Sequence, residues 1–153
     1  MVRTESGARS QVDSSALQEQ MVALIRAFGL HRTDITPCGQ TMSVSEAHAL
    51  MEISNAESLS QRELGERLLL EKSTVSRLVG QLEEREWLRR SKDGRDGRIV
   101  NLTLTARGLK VSERLGRARR RRFEMLLDAI PASRRADVID ALGTVTEASK
   151  LVR

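Results

Sequence analysis

Arg77 stands among small and polar neighbours, Ser73, Thr74, Ser76, Gly80 and Gln81, on one face of a segment whose other face is Val75, Leu78, Val79 and Leu82. The apolar residues recur at i, i+3, i+4 and i+7, so the segment reads as a helix with one buried side. A guanidinium on the opposite side can fork two donors onto guanine O6 and N7, worth about 1–3 kcal/mol of discrimination between base pairs. Hydroxyls at Ser73 and Thr74 can serve phosphates or base edges, as can the amide of Gln81. An ordinary solvated helix face shows the same residues. Downstream, Asp93-Gly94-Arg95-Asp96-Gly97-Arg98 holds two Asp-Gly turn signals and two arginines. A hairpin tip bearing Arg95 and Arg98 projects charge without bulk, which suits a narrow minor groove. Asp96 and Arg98 are two apart and share a face in an extended strand. Their pairing would aim the guanidinium rather than stabilise the turn, since exposed ion pairs are worth about 0–1 kcal/mol. The bland alternative is a mobile polar turn.

Other candidate groups point to less. The run Arg117 to Arg122, broken only by Ala118, wraps most of a helix, so its members either contact phosphates or pair with acids and solvent. Cys38 lies in a Pro-Cys-Gly loop, where a thiol is oxidisable only if its pKa is lowered; an inert thiol is the alternative to a redox role. His48 reads as a structural or polar-pocket group rather than a metal ligand. Two His and one Cys at unrelated spacings make neither a zinc site nor a nucleophile–base set, so no metal, no cofactor and no enzymatic activity are expected.

The elements that must carry these residues follow from periodicity. Residues 1–13 read as a flexible start. Leu17, Met21, Leu24, Ile25 and Phe28 then form one apolar stripe, ended by Pro37 and Gly39 in the segment 31–41. A second helix is expected from Ser45 to about Asn55, with Ala47, Leu50, Met51 and Ser54 inward. Leu59-Ser60-Gln61-Arg62-Glu63-Leu64 reads as a hydrophobic staple with a capping box, Ser60 as N-cap and Glu63 at N3. That short helix ends near Leu68, a tight break covers Leu69 to Lys72, and the helix carrying Arg77 starts at Ser73. Two short helices so joined describe a helix-turn-helix. After Trp87 the period changes to 2, with Val100, Leu102 and Leu104 on one face of a strand and Trp87 to Lys92 as its antiparallel partner. That hairpin is a wing. A long helix follows from about residue 106, Pro131 stops it and starts another, and Val138, Leu142, Val145, Ser149 and Val152 keep a 3.5-like spacing. The fold class is therefore mainly α with a small β-wing. A winged helix-turn-helix lobe spans about 43–108, and dimerisation helices span about 14–32 and 106–152, within a single domain 14–153.

Charge is divided along the chain. Residues 1–57 carry four basic and seven acidic side chains, whereas 58–153 carry 22 and 14, a balance of −3 against +8. A basic part beside an acidic one implies a polyanion-binding surface confined to that part. With two Phe, one Trp and no Tyr there is little on which to stack unpaired bases, so duplex DNA is the expected polyanion. No run approaches the ~18 apolar residues of a membrane span and residues 1–15 are too polar for a signal peptide, so a cytoplasmic protein with no membrane partner is expected. Flanking amphipathic helices suggest a homodimer, whose two-fold axis would set two reading helices about one DNA turn apart on a palindromic operator. The alternatives are a winged-helix module for protein–protein contact, which would show a neutral or apolar face in place of Arg77, and a thiol-based redox sensor using Cys38.

Three stretches, Val44-Ser45-Glu46-Ala47-His48-Ala49-Leu50-Met51-Glu52, Leu59 to Gly65 and Ser73 to Val79, resemble the MarR family of bacterial transcription regulators. So does the wing, Asp93 to Arg98, running into Leu104-Thr105-Ala106-Arg107-Gly108. The resemblance implies a homodimeric winged helix-turn-helix repressor of a palindromic operator, with Asp96 and Arg98 matching the family's wing aspartate and arginine. It also implies a small anionic or phenolic effector between the dimer helices and the DNA-binding lobe, which here brings Phe28, His31, Met42, His48 and Met51 near a pocket. Members that sense peroxide use a cysteine in the first helix, and Cys38 lies after it.

Overall fold

The structure, a computed structural model, describes residues 4–56, 58–92 and 99–152, with backbone alone for 4–13. Helix α1 (Thr4–Phe28) leads into a loop, then α2 (Val44–Ala56), a two-residue strand β1 (Leu59–Ser60), α3 (Gln61–Leu68), α4 (Lys72–Glu84), β2 (Leu88–Lys92), β3 (Val100–Leu104), α5 (Ala106–Ala129), a 3₁₀ turn (Ala132–Arg134) and α6 (Arg135–Leu151). The strands pair antiparallel in the order β1-β3-β2, with Leu88 opposite Leu104, Arg90 opposite Leu102 and Leu59 also opposite Leu102. None of the helices among the described residues is long and apolar enough to cross a membrane.

Local chemistry accounts for the boundaries. Ser60 Oγ accepts from the Glu63 backbone N–H at 3.1 Å, and Glu63 Oε2 accepts from the Ser60 N–H at 2.8 Å, the reciprocal arrangement expected of its spacing. Both staple residues, Leu59 and Leu64, are buried. A second box of the same spacing starts α2: Glu46 Oε2 accepts from Ser43 N–H at 2.7 Å and Ser43 Oγ accepts from Glu46 N–H at 3.1 Å. Helix α2 therefore begins at Val44, one residue before the expected Ser45. Its inner face is also wider than one stripe, with Ala49 and Ile53 fully buried and Met51 and Ser54 only partly so. The reason is its central place: α3, α4, α5 and the sheet all pack on α2. Helix α1 starts at Thr4, so the helix extends ahead of the apolar stripe that begins at Leu17. Residues 4–13 have no proline and a single glycine, Gly7, and an apolar stripe reports the face a helix buries, not the length of the helix.

One continuous core joins α2, α3, α4, the sheet and the first turns of α5, with Leu50, Ile53, Leu64, Val79, Leu82 and Leu102 wholly inaccessible. Helix α5 contributes Val111 and Leu115 to this core, then leaves it. Beyond it Phe123, Met125, Leu126 and Leu127 are exposed, as are Leu17, Leu24 and Ile25 on α1 and Ile139 and Leu142 on α6. The single chain thus has a closed winged lobe and three helices whose apolar residues it does not cover.

Candidate nucleic-acid interface and adjoining cavity

Helix α4 is fixed by Val75, Leu78, Val79 and Leu82, all buried, and it starts close against α3. Gly65 permits that approach: a Cβ there would stand 3.2 Å from Val75 Cγ2 and 3.3 Å from the Leu70 carbonyl oxygen. The turn between the helices closes with Leu69 in the left-handed region, φ 56°, and its N–H on the carbonyls of Glu66 and Gly65. No side chain caps the N-terminus of α4, where Glu71 is the N-cap residue. The structure leaves Ser73, Ser76, Arg77 and Gln81 exposed and Thr74 half-buried, so the expected reading residues share the solvent side of one anchored helix. Arg95, Asp96 and Arg98 lie outside the described residues.

The root of the wing is built from two linked corners. At the first, Glu46 is buried yet bonded at both oxygens: Oε2 holds its own helix start and Oε1 lies 3.1 Å from Arg85 Nε at the end of α4. The Arg85 guanidinium in turn lies 4.8 Å from the centre of the Trp87 ring. At the second, Thr105 N–H donates to the Trp87 carbonyl at 3.1 Å, its hydroxyl donates to the Glu86 carbonyl at 2.7 Å, and the same oxygen accepts from Gly108 N–H at 3.0 Å. These bonds give the Leu-Thr-x-x-Gly stretch a physical role: it ties α5 to the wing at the point where the chain leaves α4.

Above the core, a cavity of about 70 Å³ opens between α1, the loop after it, α2 and α5. Phe28 and Phe123 form part of its wall, with ring centroids 5.7 Å apart at 47°, and Thr36, Cys38, His48, Arg119 and Arg122 bring polar groups to it. Of the five pocket residues expected, Phe28 and His48 line this cavity. Met42 is buried in the core and Met51 packs against that core, while His31 lines a separate shallow depression with Arg26 and Arg32. The difference arises because α2 turns Met51 toward the lobe interior and His48 toward α5. Arg119 and Arg122 were missed, although they extend the inward stripe Val111–Leu115 by i+4 and i+7. Arg122 Nε is buried without a hydrogen-bond partner among the described residues. Cys38 Sγ lies 3.2 Å from Thr36 Oγ1 and is half-buried.

His48 is held below its ordinary pKa of 6.5, chiefly because packing around the ring removes water from its charged form and next because Arg119 repels it; Glu52 acts the other way. The unfolded chain therefore binds this proton more readily than the folded one. Its contribution to stability is intact above the unfolded value and is lost as pH falls through the lowered folded value. His48→Gln is expected to flatten the decline in Tm between about pH 6.5 and 5 relative to the parent chain. Parallel melting curves from pH 7.5 to 5 check this, and equal declines would reject it.

Residues 40–99 match the family model described as MarR family. SarZ of Staphylococcus aureus, named as a helix-turn-helix-type transcriptional regulator, is 33% identical over 66 residues, which are 43% of this chain and 45% of the relative. The match thus spans somewhat under half the length of that curated relative. Among solved structures, the PcaV transcriptional regulator of Streptomyces coelicolor superposes with a TM-score of 0.72 at 29% identity, over 87% of this chain and 96% of that one. FabT of Streptococcus pneumoniae, solved in complex with DNA, gives 0.67 at 18% identity over 97% and 99%, a likeness of fold alone. The segment 40–99 is thus similar to the MarR family, and the likeness to PcaV extends through α5 and α6 over 87% of the chain.

Proposed function

We propose that the protein is a sequence-specific duplex DNA-binding transcriptional regulator, acting as a homodimeric repressor on a palindromic operator. The observation that carries this reading is the polar, arginine-bearing side of α4, held outward by four buried residues on the other side. In this reading Ser73, Thr74, Ser76, Arg77 and Gln81 enter the major groove, and Arg95 and Arg98, the latter oriented by Asp96, enter the minor groove. The uncovered apolar residues of α1, α6 and the second half of α5 form the subunit junction. The basic balance of residues 58–153 supplies the sequence-independent part of the affinity.

Release is assigned to a small anionic, aromatic effector in the cavity. The aromatic walls of Phe28 and Phe123 suit a ring, and the orphaned Nε of Arg122 beside Arg119 is the donor an anion would satisfy. PcaV, 26% identical in that structure, has been solved with its natural ligand, which supports a ligand-responsive reading here.

Selection of genomic fragments by the purified protein at about 0.15 M salt, followed by sequencing, tests the first part. A recurrent palindrome is expected; retention without a motif would leave only charge-driven adhesion and reject the regulator. The second part is checked by adding benzoate and hydroxybenzoates to the selected complex. Release by one of them, abolished in Arg122→Gln with DNA affinity unchanged, is expected; equal release from the variant would remove Arg122 from the effector site.

A further inference from the structure

Strand β2 sends its side chains alternately to the two sides of the wing. Leu88 enters the core, and Arg89 turns to the other side, where its Nε donates to Thr103 Oγ1 at 3.0 Å. Arg90 returns to the Leu88 side and lies across the recognition helix. Its Nε is 3.2 Å from Glu83 Oε2, and a Cβ on Gly80 would stand 3.7 Å from its Nη2. The guanidinium therefore rests over Gly80, at a distance where a Cβ would meet it in ordinary van der Waals contact. At about 100° per residue, Gly80 and Glu83 occupy the edge of α4 between its buried side and the Arg77 side. Arg90 thus stands where the reading helix meets the wing.

That junction has a fixed meaning on a duplex. If α4 lies in a major groove and the wing in the neighbouring minor groove, the sugar–phosphate strand dividing the two grooves must cross between them. We infer that Arg90 is a phosphate-contacting residue that grips this dividing strand, delivered from β2 across Gly80 and held ready by Glu83. The inference rests on the proposed DNA-binding reading and adds a contact separate from the helix N-terminus and the wing tip. The ion pair with Glu83 uses Nε, and about a third of the Arg90 side chain remains open to solvent. An exposed pair of this kind exchanges readily, so an arriving phosphate can displace the carboxylate while the η-nitrogens form the bidentate grip arginine favours.

The test measures affinity for a selected palindromic fragment and for a random duplex between 50 and 200 mM salt. Arg90→Gln is expected to weaken both by a similar factor and to reduce the slope of log K against log salt by about 0.9 per protomer, while Arg90→Lys keeps the slope. Glu83→Gln is expected to tighten binding a few-fold, and that gain should vanish in the Glu83→Gln/Arg90→Gln double variant. A purely structural clamp predicts the reverse for Glu83→Gln, looser binding with a lower Tm. An unchanged slope in Arg90→Gln, or a Glu83→Gln gain that survives without Arg90, overturns the assignment. Should Arg90→Gln fail to fold, the lysine variant and Glu83→Gln decide it, since both keep a cation at position 90. Absence of any duplex binding by the parent chain would instead reject the regulator reading itself.

Discussion

Arg77→Ala is expected to lower affinity for the operator by about 1–3 kcal/mol per half-site while leaving binding to random duplex almost unchanged. The expectation rests on what the substitution leaves alone. Arg77 is exposed, and the helix that carries it is held by Val75, Leu78, Val79 and Leu82 on its other side, so truncation opens no cavity and the lobe keeps its shape. A lost base contact and a lost phosphate contact differ in their signature. The first removes discrimination, and the second weakens every duplex together and lowers the salt slope. Competition of the selected fragment against random duplex at fixed salt separates them. A ratio that collapses for Arg77→Ala, and recovers only in part for Arg77→Lys because a lysine lacks the planar fork, fits base readout. An undiminished ratio would move specificity to Ser73, Thr74 or the wing.

The parts of this lobe legible in the sequence are those whose cause is local. The box at Ser60 and Glu63 could be read from four residues, because both of its bonds close within one turn. The box at Ser43 and Glu46 has the same spacing and is as local, and it sets the start of α2 one residue before the Ser45 that periodicity indicates. The second bond of Glu46, to Arg85, was not legible, since it joins residues that only the packing of α2 against α4 brings together. The wing followed from the change of period at Trp87. Strand β1 did not, because Leu59 serves at once as staple and as edge partner of Leu102, and two residues carry no period.

The cavity shows the same division more sharply. Its lining comes from α1, the following loop, α2 and α5, and no spacing rule links Phe28 to Arg122. Periodicity could have supplied Arg119 and Arg122 as continuations of the Val111–Leu115 side of α5. The run of arginines hid them, because it places charge on every side of that helix. Two of those charges turn toward the cavity, and sorting them required knowing which side α2 occupies.

Gly108→Ala and Gly116→Ala make one substitution eight residues apart on the same helix and are expected to have opposite effects. A Cβ at Gly108 would fall on the Trp87 carbonyl oxygen and crowd the carbonyl carbon behind it. Neither neighbour is a flexible side-chain end. The Trp87 carbonyl is held by Thr105 N–H, and Thr105 is held in turn by its bonds to Glu86 and Gly108, so relief requires α5 to move off the wing root as a unit. That movement would loosen Val111 and Leu115 in the core. The expected loss is about 1–3 kcal/mol or more, in the range of overpacked interiors. At Gly116 a Cβ meets nothing within 4 Å, and alanine there is expected to stabilise α5 by about 0.5–1 kcal/mol through the restricted unfolded chain. Denaturant melts of the two variants beside the parent chain read both signs at once. If Gly108→Ala were as stable as Gly116→Ala, the close approach of α5 to the wing root would be refuted. With it would go the account of why threonine and glycine stand three apart where the wing ends.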